Sequence, residues 1–190
     1  MNTFEYITVL VSIVVGLAIA DMATSVHRLL RAGRRVRWDW ISPTAALLIL
    51  LELFNLWWKW HGFTGTTLGQ VVPYFGTLLL LFLAASAALP DEVPAKGLSL
   101  ADYFNETRPY FWSVYTAYVT SWIGLRTAQA YVEGVPIPNI LADKSVDYLT
   151  IAVYFALIFV RRPIFSGIAL VSTLVWLTYD WWSMPLAGMH

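Results

Sequence analysis

Four ionisable side chains stand out because each lies within or beside a strongly apolar run: Glu52, Lys59, Arg126 and Asp180. The stretch LLELFNLWWKWHG, Leu50 to Gly62, holds two of them. Residues three, four and seven apart share a helix face, so Glu52, Asn55 and Lys59 form one stripe. A lone carboxylate at the centre of a bilayer costs at least about 2.5–3.5 kcal/mol, which drives such groups inward toward partners. The available chemistry is that of a carboxylate that takes up and releases a proton, beside a guanidinium that can hold two carboxylates or bind an anion through its fork of donors. The sequence therefore predicts a polar cluster of Glu52, Asn55, Arg126 and Asp180, with Arg126 as its hub and Lys59 at its mouth.

Positioning these residues requires membrane-spanning helices. The chain is 58% hydrophobic and 13% charged, far from the roughly 45–50% and about 25% of soluble domains. A span needs about 20 mostly apolar residues. Six segments qualify within a single domain over residues 1–190: approximately 4–28, 41–60, 71–89, 109–131, 146–160 and 164–182. The predicted fold is an all-α integral membrane bundle of six transmembrane helices, joined at the breaker-rich stretches RAGRRVR, HGFTGTTLG, LPDEVPAKG, EGVPIPN and RRP. The fifth span is short and needs Ser145 and Asp147 as a capped first turn, or a thin bilayer. At ~1.5 Å per residue, Glu52 lies ~16 Å along its helix from Ile41, Arg126 ~25 Å from Pro109, and Asp180 ~24 Å from Ile164. All three fall in the same half of the bundle.

Positive charge gives the orientation. Arg28, Arg31, Arg34, Arg35 and Arg37 follow the first span, Lys96 and Arg108 lie between the third and fourth, and Arg161 and Arg162 between the fifth and sixth. These loops are expected on the cytoplasmic side of an inner membrane, with both termini outside. The first four basic residues of the loop proper, Arg31, Arg34, Arg35 and Arg37, also suit anionic lipid headgroups. Trp57, Trp58, Trp60, Trp181 and Trp182 at one level, and Trp38, Trp40, Tyr110, Phe111 and Trp112 at the other, read as interfacial anchors. Glu5, with no lysine or arginine beside it, argues against a cleaved signal peptide.

Ser99 and Asp102 have capping-box spacing, and SLADYFNETRPYFW reads as a short cytoplasmic amphipathic helix before the fourth span, turning at Pro109. The stretch FEYITVLVSIVVGLAIA with its arginine-rich loop, the second helix ending in paired tryptophans, and YFNETRPYFW resemble a group of uncharacterised bacterial polytopic inner-membrane proteins. The resemblance implies a location and no chemistry. Three helices per half permit an inverted repeat, although the two halves share no convincing residue pattern.

A second acidic position, Asp21, shares a face with Ser25 and Arg28. The pair Asp21–Arg28 reads as a snorkelling ion pair or as an inner gate, a second station on a path from Glu52. His27 and His61 are predicted at opposite ends of the bundle and His190 in the tail, so no two can share a haem, and no metal or cofactor is expected. Thr8, Ser12, Gly16 and Ala20, and Ser113, Ala117, Thr120, Gly124 and Thr127, form small-residue stripes expected to pack against neighbouring helices or another subunit. The chain carries no cysteine and no net charge, which removes disulfides, thiolate metal sites and a basic nucleic-acid surface. No P-loop, GxSxG or HExxH motif marks an enzyme.

The reading is passage or coupling of a small solute or ion across the cytoplasmic membrane, with Glu52 as the titrating group. The rival is a non-catalytic accessory, assembly or sensor subunit, in a homo-oligomer or larger complex, whose buried charges are structural. A quinone- or lipid-handling membrane enzyme is a third class.

Overall fold

A computed structural model describes residues 3–59 and 67–183 of the chain. Trp60, read above as an anchor, and the histidines His61 and His190 lie outside the described residues. Among the described residues seven helices follow in order: α1 (Thr3–Ala32), α2 (Ile41–Lys59), α3 (Leu68–Ala88), α4 (Leu100–Val132), α5 (Ile137–Asp143), α6 (Ser145–Phe159) and α7 (Pro163–Ser183). Two short strands, β1 (Val36–Arg37) and β2 (Leu98–Ser99), pair in parallel. Among the described residues four helices, α1, α2, α3 and α7, are long and apolar enough to cross a membrane. The other two expected spans differ. The 33-residue α4 is diluted by tyrosine, serine, threonine and glutamine, and α6 has only 15 residues, about 22 Å at 1.5 Å each, against a hydrocarbon core of about 30 Å.

The separate amphipathic helix expected before the fourth span does not exist as such. Ser99 caps as its spacing predicts, its Oγ accepting from the Asp102 N–H at 3.3 Å, but the helix then continues through Pro109 to Val132. The reason is a single buried stripe. Leu100, Phe104, Arg108, Phe111, Tyr115 and Tyr118 are all buried, at spacings of four and three that run straight past the proline. Breaking the helix there would divide one packing face into two. Ser145 and Asp147 do not cap α6 with a side-chain bond; the short helix α5 leads into it instead.

The core forms between α3 and α4, with α1 and α2 against α3, α6 against α4, and α7 against α2. On α1 the buried face is Val11, Val15, Ala18, Met22, Ser25 and Leu29, an alternation of four and three residues. The small-residue stripe lies elsewhere: Ser12, Gly16 and Ala20 are exposed on the chain's own surface, as are Ser113, Thr120 and Gly124 of α4. Large aliphatic side chains bury more surface than small ones, so they take the face toward the core. Ser12 keeps one contact, accepting from the Trp57 indole N–H at 3.1 Å.

The arginine-rich ends of the helices are gathered by polar contacts. Ser42 of α2 donates to the Ala88 carbonyl at 2.5 Å, and Tyr103 of α4 to the Leu89 carbonyl at 3.0 Å, so side chains from two neighbours satisfy the orphan carbonyls at the end of α3. Burial, with the Asp91 charge nearby, pushes the Tyr103 phenol up to about 12, which keeps it a donor. Gly97 (φ +92°) turns the chain into β2, and a side chain there would strike the Arg35 carbonyl oxygen of the partner segment. Gly167 of α7 plays a steric part: a Cβ at this position would run into the Trp40 indole.

Candidate functional site

Glu52 sits midway along α2 and faces α4. Tyr118 donates its hydroxyl to Oε2 at 3.1 Å, Tyr115 donates to Oε1 at 3.4 Å, and the Asn55 amide donates to Oε2 at 3.4 Å. The donors are set by local geometry: Asn55 is one turn along α2, and Tyr115 and Tyr118 are three apart on one face of α4. Hydrogen bonds to a charged acceptor contribute about 1.5–3 kcal/mol each, so this set offsets the cost of holding a carboxylate among leucines. All three donors are neutral, and no cation lies within ion-pair distance of Glu52 among the described residues.

Aromatic rings hold the tyrosines. Tyr115 stacks on Phe111 at 5.9 Å between ring centres and meets Tyr154 of α6 at 5.4 Å. Trp112, fully buried, contacts Tyr154 at 5.4 Å and donates its indole N–H to Ser166 of α7 at 3.0 Å. Tyr154 and Thr173 share a hydroxyl–hydroxyl bond of 2.5 Å. One aromatic face of α4 thus fastens α6 and α7 beside Glu52.

Glu52 opens into a cavity of about 720 Å³ between α2, α4, α6 and α7. All five residues of the expected cluster line it: Glu52, Asn55, Lys59, Arg126 and Asp180. The arrangement within it differs from the expectation. Arg126 is not the hub; it is exposed and, among the described residues, makes no hydrogen bond or ion pair. It stands some two turns beyond Tyr118, ~12 Å along α4, and forms no ion pair with Glu52. Lys59 stands between the groups, its ammonium 5.7 Å from the centre of the Trp122 ring and within electrostatic reach of Asp180, Glu52 and Arg126. Lys144 at the mouth pairs with Asp143 at 3.4 Å and Asp147 at 3.7 Å. Asn55 is buried, and its Oδ1 has no hydrogen-bond partner among the described residues.

Asp21 and Arg28 are not joined. Arg28 donates instead to the Asp91 backbone carbonyl at 2.5 Å, and Asp21, half-buried, makes no hydrogen bond or ion pair among the described residues. Asp21 does not line the Glu52 cavity. Arg28, Arg31 and Arg35 instead border a hollow of about 480 Å³ with Asp91 and Glu92. His27 is exposed, and no group of three histidine or acidic side chains converges as a metal site among the described residues.

Sequence reasoning missed Tyr115, Tyr118 and Tyr154. The available signal was the placement of hydroxyls at i and i+3 deep within a span, where a tyrosine cannot reach water and needs an acceptor. Comparison of the chain with family models, with curated proteins and with solved structures gave no match.

Proposed function

We propose that this chain passes or couples a small solute or ion across a membrane, and that Glu52 is the group at which the cargo or a proton is held. The observation that carries this reading is the cavity: an ionisable carboxylate half-way along an apolar helix lines it together with Lys59, Arg126, Lys144, Asp147 and Asp180. In this reading α4 and α6 complete six crossings, and α6 spans by thinning the bilayer locally. The arginine-rich end faces the cytoplasm of a bacterial inner membrane and both termini lie outside. Exposed Arg31, Arg34, Arg35 and Arg37 are suited to anionic headgroups there.

A second reading rests on a specific observation, the three hydrogen bonds to Glu52. A carboxylate so well satisfied also suits an accessory subunit whose buried polar groups only fix helix register. One experiment separates the two. Protein reconstituted in vesicles containing a pH-sensitive dye is challenged with small cations, anions and amino acids. Transport predicts a solute-dependent pH change in wild type that Glu52→Gln removes even in protein that remains folded. A silent wild type, together with a Glu52→Gln variant that melts several degrees lower, overturns transport in favour of the accessory role.

A further inference from the structure

We propose that the Glu52 cavity is a receptor for an organic ammonium ion, a protonated primary amine carried on an apolar body, and that Lys59 is a tethered surrogate which the ligand displaces. The inference rests on the reading that this cavity receives a ligand, and it names that ligand's class.

Four features of the cavity support this. First, the floor presents acceptors. Among the described residues, the Glu52 carboxylate is hydrogen-bonded by neutral donors alone. A positively charged N–H donor supplies the missing countercharge. An anion would meet the carboxylate.

Second, the walls suit a cation with apolar substituents. Tyr115, Tyr154, Trp122 and Trp176 border the space together with aliphatic side chains, and aromatic faces attract ammonium groups. Third, the protein already demonstrates the preference. The Lys59 ammonium rests over the Trp122 ring within the field of Glu52 and Asp180, yet does not reach the carboxylate. A free amine can go to the floor, where the lysine tether does not extend. Fourth, there is room and a route. Ligand cavities measure roughly 300–1,000 Å³, and this one is about 720 Å³. Its sides are α6 and α7, which pack on α4 and α2 more than on each other. Exposed Val153 and Ile168 flank the gap, so an amphiphilic amine can arrive from the lipid as well as from the mouth.

The probe is phenethylammonium, with the neutral 2-phenylethanol as its shape control, titrated calorimetrically against the full chain in nanodiscs. Saturable binding of the amine and none of the alcohol is expected. Glu52→Gln should weaken the amine about tenfold or more, and Lys59→Gln should tighten it several-fold by removing the competing cation. Equal binding of amine and alcohol would reduce the site to an apolar crevice and overturn the proposal. So would Lys59→Gln weakening the amine, an outcome that stays readable even where Glu52→Gln fails to fold. The assay needs no flux. Amine binding in a protein that moves nothing defeats transport alone, whereas vesicle flux without amine binding defeats this proposal alone.

Discussion

Glu52 keeps its place among leucines because donors from two helices converge on it, and they are unequal. Tyr118 approaches to 3.1 Å, whereas Tyr115 and Asn55 stand at 3.4 Å. Tyr118→Phe is therefore expected to destabilise the bundle by about 1.5–3 kcal/mol, the range for a bond to a charged group, and Tyr115→Phe by less. Thermal unfolding in detergent ranks the two, and combining Tyr118→Phe with Glu52→Gln tests the pairing, because the double variant should lose less than the sum of the singles. Additive losses would show that the phenol does not act through the carboxylate. At this scale the acids and bases were legible in the sequence, since charge inside an apolar run is conspicuous. Their partners were not. Arg126 looked like the hub because charge pairing was weighed ahead of reach, and the tyrosines were overlooked because an aromatic in a span resembles an anchor.

Among the elements, the long helices were readable from apolar runs, α2 beginning at Ile41 as expected, whereas α5 lies in a stretch expected to be a connection. The faces were harder to read. Small-residue spacing on α1 and α4 pointed to close packing, while the core took the aliphatic and aromatic stripes beside it. Pro109 looked like a corner, but a proline ends a helix only when no continuous face rewards continuing it. The junction of α2 and α7 is a tight fit that no pattern announced: the Trp40 indole lies where Gly167 leaves space. Gly167→Ala should lower the melting temperature by pushing that indole aside, at a cost of about 1–3 kcal/mol. In a Trp40→Ala background the same substitution should cost almost nothing. An equal loss in both backgrounds would assign the effect to the α7 backbone.

For the whole molecule, hydrogen bonds gather the ends of α1 and α3 with the starts of α2 and α4. The absence of cysteine makes sidedness simple to measure. In intact bacterial cells, Thr67→Cys should react with a membrane-impermeant maleimide and Arg34→Cys only after the membrane is opened. The reverse pattern would invert the topology. The wall that shuts Glu52 away from lipid is assembled late. Tyr115 and Tyr118 lie 63 and 66 residues downstream of the carboxylate, roughly 3–13 s of synthesis at ~5–20 residues per second, and α7 follows every other helix. Throughout that interval the nascent α2 carries an acid with none of its tyrosine donors, so the insertion machinery, or the newly placed α1, has to shelter it until the hydroxyls emerge from the ribosome.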